Sequence, residues 1–323
     1  MNEAEPLDEE TIIKILWGGF GTISQDPFND DAAWLTNQGG KKYLVGKADM
    51  FVATTDAPPQ MSPQQIAEKS IVACVSDLAA KGVSPKYCLI SLGLPKTLAT
   101  TSFVTSLARG FAQAEADYKL RIIGGDTNAT SLDLVIDCSL FGFSNSLVLR
   151  RGGKPGDLIG VSGKFGAQPA GLLILLKKAT SNKTAFQKSA IASVLEPRAR
   201  LDIGVKASRF LTSCIDSSDG LAISLYHLAE SSRRDFSLNR LPVAPGVEQF
   251  ASENSLNYQD LVLFGGEEYE LVCTYPMKYE ARLSKLGIET IGVVTERKSE
   301  KPEVRLEDQS VPRRGWVHFK SKD

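Results

Sequence analysis

The chain has 323 residues, of which 42% are hydrophobic and 23% charged, and its formal net charge is -1. A chain of this length can form two domains or one large α/β domain. The near-neutral charge argues against nucleic acid as the main partner, because binding to phosphates requires an excess of basic residues. The longest apolar runs are too short to span a bilayer, and the acidic N-terminus lacks the basic and apolar regions of a signal peptide. We therefore expect a cytoplasmic protein that binds neither nucleic acid nor a membrane.

Cysteine and histidine usage limits the kinds of metal site. The five cysteines are scattered through apolar segments without a CxxC pair, which predicts reduced core residues rather than a disulfide framework or a zinc site. The chain has two histidines, so a site with three histidine ligands is excluded. A metal would then be held by oxygen atoms, which favours Mg²⁺, Mn²⁺ or Ca²⁺.

The first half of the chain alternates predicted helices and strands. Apolar residues recur at helical spacing from Ile66 to Ala79, and Lys81-Gly82 marks the end of that helix. Asp77 lies among apolar residues of the same helix, so it must be protonated, paired or bound to a cation. The strand at 120–123 is expected to end in the turn Gly124-Gly125-Asp126-Thr127. Other predicted elements are helices at 8–18 and 101–118 and strands at 43–45, 50–54, 87–94 and 132–140.

The composition changes to Ser, Asn, Arg, Gly and Pro around residues 142–156. We place a domain boundary there, which gives domains 1–145 and 146–323. Both halves mix strands with packing helices, so the predicted fold class is α/β or α+β. Predicted elements of the second half are strands at 158–161, 236–241, 270–275 and 290–294, helices at 170–178, 199–211 and 278–286, and a helix that follows Asp216-Ser-Ser-Asp-Gly and ends at 230.

Carboxylates recur where these elements meet glycine- or serine-rich turns. A single Asp in a turn is more often there for local hydrogen bonding. Several of these acids follow an apolar strand, however, and strand ends of α/β proteins converge on one edge, where ligands bind. Two carboxylates ~4 Å apart repel by about 4 kcal/mol at an effective dielectric of ~20. A cluster of carboxylates therefore requires divalent cations, and hard cations with oxygen ligands suggest phosphate chemistry. The acids concerned are Asp30, Asp31, Asp56, Asp77, Asp126, Asp216, Asp219, Glu267 and Glu268.

The usual phosphate-binding loops are absent from the sequence. There is no GxxxxGK[ST] motif and no protein-kinase HRD or DFG motif. If the chain binds ATP, Mg²⁺ would bridge the phosphates to carboxylates, with help from cations such as Arg150 and Arg151. A solvated turn is the alternative interpretation of these two arginines.

A series of short motifs extends from about residue 30 to residue 319. In order they are NDDAAWL, TTD, SDLAAKGVSP, IGGDT, RRGGKPGDLIGVSG, IDSSDGL, LFGGEEYEL and RGWVHF. Together they resemble thiamine-monophosphate kinase, a branch of the superfamily of aminoimidazole ribonucleotide synthetase, selenophosphate synthetase and the hydrogenase-maturation dehydratase. SDLAA and IGGDT are typical of the whole superfamily, whereas KPGDLIGVSG, IDSSDGL, GGEEYEL and the terminal GWxHF favour the kinase branch.

The resemblance implies a two-domain synthetase-like fold. The sheet of the N-terminal domain would pair with that of a second subunit into a β-barrel, giving a homodimer, and the C-terminal α/β domain would complete the active site. The enzyme would transfer the γ-phosphoryl group of ATP directly to the phosphate of thiamine monophosphate, with several Mg²⁺ ions. The acceptor oxygen is already ionised, so positioning and charge neutralisation would suffice without a strong general base.

The resemblance also implies roles for individual residues. The thiamine end would meet Glu267 and Trp316, and the aromatic face of Trp316 suits the cationic thiazolium ring. The catalytic acids would be Asp31, Asp77, Asp126 and Asp216. ATP would contact Gly125, Asp126, Arg151 and Ser218. The metal ligands would be Asp31, Thr54, Thr55, Asp56, Asp77, Asp126, Asp216 and Asp219.

Three features depart from the usual pattern of this family. Asn29 replaces a glycine before the paired acids, and Glu268 replaces an aspartate. Asp56 is followed by a short Ala-Pro-Pro-Gln-Met segment, where typical members have a longer loop with a histidine. The contact with the substrate at this point must therefore be made differently.

Two other functions are open on the sequence alone. One is another ATP-using member of the superfamily, such as a synthetase that phosphorylates an amide or carbonyl oxygen. The other is a non-catalytic ATP-binding homologue. The GGEEYEL and RGWVHF segments favour the kinase over the first, and the intact set of acids argues against the second.

Overall fold

The computed structural model describes residues 7, 9–18, 30–36 and 43–316. Its strands form two mixed sheets, one of five strands and one of seven, with helices packed against both. The predicted mixed α/β class is therefore confirmed. The strands of the first sheet end at residue 144 and those of the second begin at residue 157. The proposed boundary between residues 145 and 146 stays a prediction.

The five-stranded sheet contains the paired strands of the first half. They are β1 (Ala33–Thr36), β2 (Tyr43–Val52), β3 (Pro85–Pro95), β4 (Arg121–Thr130) and β5 (Val135–Ser144). The spatial order is β1-β2-β5-β3-β4, and neighbours are antiparallel except for β3 and β4. A parallel pair requires a crossover connection, and helix α4 (Thr101–Tyr118) supplies it. Strand β4 is consequently left at one edge of this sheet.

The seven-stranded sheet is formed by the second half. Its strands are β6 (Asp157–Val161), β7 (Ser213–Ser217), β8 (Asp235–Leu238), β9 (Glu270–Pro276), β10 (Glu289–Thr295), β11 (Val304–Leu306) and β12 (Gln309–Ser310). They follow the order β12-β11-β8-β10-β6-β9-β7, antiparallel except for the pair β8 and β11. Helices of this half are α5 (Ala167–Leu175), α6 (Thr184–Leu195), α7 (Leu201–Ala207), α8 (Leu221–Ser232), α9 (Val247–Glu253), α10 (Tyr258–Phe264) and α11 (Glu280–Ser284).

Helix α3 (Pro63–Ala80) lies between the two sheets and contacts both. At its start the Ser62 hydroxyl accepts a hydrogen bond from the Gln65 amide at 3.3 Å, and the Gln65 side chain accepts one from the Ser62 amide at 3.0 Å. This reciprocal cap, with proline in the first turn, fixes where the helix begins. The helix is followed by Gly82, whose φ of +71° suits glycine. On its sides α3 contacts β2 and β5 of one sheet and β7 and β9 of the other.

Three clusters of buried apolar side chains form the core. One fills the space between the five-stranded sheet and helices α3 and α4, and a second packs the seven-stranded sheet against α5, α8 and α10. The third joins the two halves, because Ala79 and Ala80 of α3 pack with Cys214 and Cys273 of the second sheet. In the part of the chain that the structure describes, no helix is long and apolar enough to cross a membrane.

Several predicted element bounds are wrong in an instructive way. The predicted strand 43–45 and residues 50–52 of the predicted strand 50–54 belong to one strand, β2, and residues 53–54 lie in a short helix, α2 (Ala53–Asp56). The Gly124-Gly125-Asp126-Thr127 segment lies inside β4 rather than in a turn after it. The helix predicted at 199–211 is α7 followed by a 3₁₀ turn at Ser208–Phe210, and α6, α9 and α10 were not predicted. The predicted N-terminal helix is present as α1 (Glu9–Gly18).

Candidate active site

Three buried carboxylates meet where the two sheets approach each other. Asp31 precedes β1, Asp77 lies in the last turn of α3, and Asp216 lies on β7. One oxygen from each lies within 4.8 Å of the other two, and all three residues are buried. Because the two sheets are largely antiparallel, these acids do not converge through a shared edge of parallel strands, as the sequence argument assumed. Their convergence results from α3, which contacts both sheets.

Asp31 is neutralised by two cations inside the protein. Arg150 approaches Asp31 Oδ1 with Nε at 2.6 Å and Nη2 at 2.5 Å, and Lys81 Nζ lies 2.8 Å from Oδ2. Asp30 completes the group, since its Oδ1 pairs with Lys81 and its Oδ2 accepts a hydrogen bond from the Arg150 amide at 2.9 Å. Burial raises the pKa of Asp31, but Lys81 and Arg150 together hold this pKa below its ordinary value. Asp31 is therefore ionised in the folded chain.

The charges of Asp77 and Asp216 are less completely neutralised by nearby cations than that of Asp31. Burial raises the pKa of Asp77 well above its ordinary value, and the charges of Asp216 and Asp31 add to this rise, while Lys47 opposes it. Burial, followed by the charge of Asp31, raises the pKa of Asp216 from 3.8 to about 7. A divalent cation between these oxygens would reverse both shifts. Three carboxylates that can reach one point, two of which resist ionisation without a cation, fit an oxygen-liganded metal ion such as Mg²⁺.

The cluster opens into a large cleft of about 1730 Å³ lined by both halves of the chain. Asp31 lies beneath its wall at 4% exposure, next to Asp30, which does line the cleft. Most of the site residues predicted from the sequence line this same cleft, namely Thr54, Thr55, Asp56, Asp77, Arg151, Asp216, Ser218, Asp219, Glu267 and Trp316. These residues are thus brought together, while their individual roles stay predictions.

The Thr54-Thr55-Asp56 segment makes local hydrogen bonds. Thr55 Oγ1 donates to the carbonyl of Val52 at 3.1 Å, and Asp56 Oδ2 accepts from the Val52 amide at 2.7 Å. Thr54 Oγ1 donates to a carboxylate oxygen of Asp133. These bonds hold the short helix α2 at the end of β2, so the three side chains are engaged at the wall of the cleft rather than in the cluster of three carboxylates.

Lys47 and Asp49 of β2, which were not predicted as site residues, lie near Asp77. Lys47 Nζ lies 2.9 Å from Asp77 Oδ2 and 4.0 Å from Asp49 Oδ2. Asp49 is among the charges that raise the pKa of Asp77, and burial raises the pKa of Asp49 itself. The signal was present in the sequence, because Val45, Lys47, Asp49 and Phe51 alternate along one face of a strand. Dividing this strand into two separate pieces hid the pattern.

Glu267 is held by a buried lysine. Lys69, with a side chain only 2% exposed, pairs with Glu267 Oε1 at 2.5 Å and donates to the carbonyl of Asp56 at 2.6 Å. Gln168 donates to Glu267 Oε2 at 2.8 Å, and the Glu267 amide donates to the carbonyl of Ser218 at 2.5 Å. Glu267 is thereby connected to two other predicted segments of the cleft.

Trp316 lies at the rim of the cleft. Its amide donates to the carbonyl of Asp219 at 2.9 Å, and its side chain is 48% exposed. The remainder of the predicted GWxHF motif, which includes His318, lies outside the described residues.

Gly125 and Asp126 are not brought to the cleft. They lie on the edge strand β4 and line a separate shallow recess with Ile90, Gly124 and Thr127. Asp126 is in register with Ser91 of β3 and is exposed. Of the four predicted catalytic acids, Asp31, Asp77 and Asp216 are therefore adjacent, and Asp126 is separate from them within the described chain.

Two further titratable residues have shifted pKa values. Glu268 was named among the turn acids in the sequence, whereas His227 was not singled out. His227 lines the cleft, and burial together with Arg150 and Arg313 lowers its pKa to about 4, so it is neutral at neutral pH. Glu268, which replaces the aspartate usual in the family, is buried and accepts a hydrogen bond from the Gly166 amide. Burial raises the pKa of Glu268 well above its ordinary value.

Comparison with known proteins assigns this chain to a family. A family model described as "AIR synthase related protein, N-terminal domain" matches residues 29–144. The thiamine-monophosphate kinase of Nitrosopumilus maritimus is 38% identical over 320 residues, which cover 97% of this chain and 99% of that relative. The chain belongs to the thiamine-monophosphate kinase family. Family members from Pyrococcus horikoshii and Bacillus subtilis are 32% and 30% identical, covering 91% and 90% of this chain and 91% and 92% of those relatives.

Solved structures of the thiamine-monophosphate kinase family share this fold. The structure described as "AaThiL complexed with AMPPCP and TMP" has a TM-score of 0.87 and 28% identity, and the match covers 99% of this chain and 100% of that one. The thiamine monophosphate kinase from Aquifex aeolicus has a TM-score of 0.80 at 28% identity, covering 94% and 96% of the two chains. A HypE-HypF complex at 16% identity and a TM-score of 0.71, covering 97% and 99%, shows the fold alone.

Proposed function

We propose that this chain transfers the γ-phosphoryl group of ATP to the phosphate of thiamine monophosphate. A phosphate oxygen of the acceptor forms the new bond to the γ-phosphorus, the bond from that phosphorus to the bridging oxygen breaks, and thiamine diphosphate and ADP leave. The observation that carries this proposal is the buried group of Asp31, Asp77 and Asp216 at the wall of the cleft. Support comes from a structural neighbour that is described as holding AMPPCP and TMP.

Several Mg²⁺ ions are proposed as cofactors. Asp31, Asp77 and Asp216 fit one such ion, since their oxygens lie within 4.8 Å of one another. When bound, the metal supplies positive charge between the two anionic reactants. The further proposed ligands are Thr54, Thr55, Asp56 and Asp219, which line the cleft. Asp126, which lies apart from the cleft on β4, is the last proposed ligand. Arg150 orients Asp31 in this site through the two contacts that its guanidinium makes with Asp31 Oδ1.

The cleft residues bind and orient the two substrates in this proposal. Arg151 and Ser218 of the cleft would contact ATP. Gly125 and Asp126, which lie on β4 outside the cleft of the same chain, are the other two proposed ATP contacts. Glu267 and Trp316 would meet the thiamine end, and Lys69 fixes the carboxylate of Glu267 through their 2.5 Å ion pair. The lowered pKa of His227, about 4, makes this imidazole a weak base. This and the ionised acceptor phosphate agree with a transfer that uses no strong general base.

A homodimer with the five-stranded sheets paired into a barrel is the finer part of this proposal. Large apolar side chains on these strands are exposed, among them Met50 at 60%, Ile123 at 57% and Phe143 at 50%. Exposed apolar patches of this kind, next to an edge strand, are typical of an interface. Ile123→Lys should therefore halve the mass measured by light scattering, whereas Leu132→Lys, at a 90% exposed position between β4 and β5, should keep it. A dimer that persists in Ile123→Lys would contradict this interface.

The decisive experiment supplies the purified chain with ATP, Mg²⁺ and either thiamine monophosphate or free thiamine. We expect thiamine diphosphate and ADP in equal amounts with the monophosphate and no product with thiamine. Asp216→Asn should abolish the transfer, and Asp308→Asn, at an exposed turn between β11 and β12, should retain it. Product from free thiamine, or from neither substrate, would refute the assignment. The cytoplasmic location and the two-domain division are proposed on the sequence grounds given above.

A further inference from the structure

Lys47 is a cation that the proposed function does not use. It lies on the face of β2 that also carries the buried Val45 and Phe51, and this strand contacts α3. Its side chain is 24% exposed and lines the cleft beside Asp77. Strand geometry therefore directs an ammonium group into the wall that carries the acidic cluster.

The contact of Lys47 with Asp77 is direct. Lys47 Nζ lies 2.9 Å from Asp77 Oδ2, a distance typical of a charge-assisted hydrogen bond, and 4.0 Å from Asp49 Oδ2. A Mg²⁺ ion would lie about 2.1 Å from a carboxylate oxygen. An ammonium and a metal ion cannot share the same side of Asp77 Oδ2, but a carboxylate has two oxygens and about four lone-pair sites, so Asp77 can pair with Lys47 and still bind a metal ion.

A charge count shows what Lys47 contributes. When all groups are ionised, the five carboxylates of this wall exceed the three cations that pair with them by two charges, which one divalent ion balances. Without Lys47 the excess would be three negative charges, which one divalent ion does not balance, so a second ion would be required. The carboxylates are Asp30, Asp31, Asp49, Asp77 and Asp216, and the cations are Lys47, Lys81 and Arg150.

We propose that the ammonium group of Lys47 is a built-in cation of the acidic cluster and occupies the place of one divalent ion between Asp77 and Asp49. The chain then needs one metal ion fewer at this wall than the same carboxylates would bind without the lysine. Lys47 acts here as a positioning residue, because its ammonium group pairs with Asp77 and Asp49. This inference rests on the proposed metal-dependent activity, so its test counts metal ions separately from turnover.

The test is a metal count on the full chain without nucleotide. Metal-stripped wild type, Lys47→Met and Lys47→Arg are titrated with MnCl₂, and free Mn²⁺ is followed by electron paramagnetic resonance. We expect Lys47→Met to bind one more Mn²⁺ per chain than wild type, and Lys47→Arg to bind the same number as wild type. Lys86→Met, at an exposed position of β3, is the matched control and should also equal wild type. If Lys47→Met does not fold, Lys47→Gln replaces it, with circular dichroism as the check.

Equal Mn²⁺ counts in wild type and the neutral Lys47 variant would overturn the role of Lys47. If the wild type still forms thiamine diphosphate in that case, the proposed function stands and this inference alone fails. Absence of Mn²⁺ binding in both proteins would overturn the inference together with the metal site on which the proposed function depends.

Discussion

Asp216→Asn should stabilise the metal-free protein at alkaline pH even though it removes a residue of the candidate active site. Burial, and then the charge of Asp31, raise the pKa of Asp216 from 3.8 to about 7. An acid whose pKa is raised by folding opposes folding at high pH, because the unfolded chain releases the proton first. The unfavourable contribution is absent below 3.8, grows as the pH rises toward 7 and is complete above that value.

The size of this effect follows from the pKa shift. Each pKa unit corresponds to about 1.4 kcal/mol, so a shift from 3.8 to about 7 costs about 4 kcal/mol when Asp216 is fully ionised. About 3 kcal/mol of this cost develops between pH 5 and pH 8. Asparagine has nearly the same size and no charge, so the free energy of unfolding of Asp216→Asn relative to wild type should rise by about 3 kcal/mol between these pH values. Any packing cost of the substitution is the same at pH 5 and pH 8, so it cancels in the difference between the two pH values.

Urea unfolding in EDTA at pH 5 and pH 8 measures this difference, with Asp308→Asn as a control whose stability should follow that of wild type. Adding Mg²⁺ at pH 8 should raise the free energy of unfolding of wild type and leave that of Asp216→Asn nearly unchanged, because a bound ligand stabilises only the state that binds it. A difference between Asp216→Asn and wild type that does not change with pH would refute the reasoning.

Three other outcomes follow from contacts in the structure. Lys69→Met removes the ion pair with Glu267, so the free energy of unfolding should fall by about 2 kcal/mol. In steady-state kinetics of the same variant, KM for thiamine monophosphate should rise by a larger factor than kcat falls. Gly110→Ala puts a Cβ 2.1 Å from the carbonyl oxygen of Gln64 and should cost about 1–3 kcal/mol in thermal unfolding, whereas the exposed Ala108→Ser on the same helix should cost under about 0.5 kcal/mol. All five cysteines are buried, so a thiol reagent at pH 8 should label them only after urea is added; rapid labelling of the native chain would contradict this burial.

The helices and strands with unambiguous local signals were predicted well. The end of α3 and both bounds of α4 agree with the sequence prediction to within a residue or two, because regular apolar spacing and the terminal Lys81-Gly82 pair mark them. The short helices α6, α9 and α10 have less regular patterns, and their positions depend on packing in the second half that no local signal records.

Glycine and buried charge account for the errors in the first half. Gly124 and Gly125 suggested a turn, but the edge strand β4 accepts them since it packs few side chains. Lys47 and Asp49 interrupted the apolar pattern of β2, so one strand was divided into two. The same two residues were thereby lost from the predicted site.

The candidate site was predicted in part, as a set of acids rather than as an arrangement. Asp31, Asp77 and Asp216 do lie together, but the buried lysines that pair with the site acids were missed. A lysine side chain is normally expected to be exposed to solvent. Only the tertiary structure shows that Lys69 and Lys81, in and directly after α3, are 2% and 1% exposed. Their partners are distant in sequence, so no spacing rule reveals them.

Helix α3 makes the architecture and the chemistry of this chain depend on each other. It carries Asp77 and packs against both sheets, so its backbone amides are expected to exchange with solvent only when the whole molecule opens. Changes that weaken packing anywhere along this helix will then lower the measured turnover of samples assayed close to their melting temperature. Loss of activity in such variants reports a shrinking folded population, and it should be separated from chemistry by repeating the assay at a lower temperature.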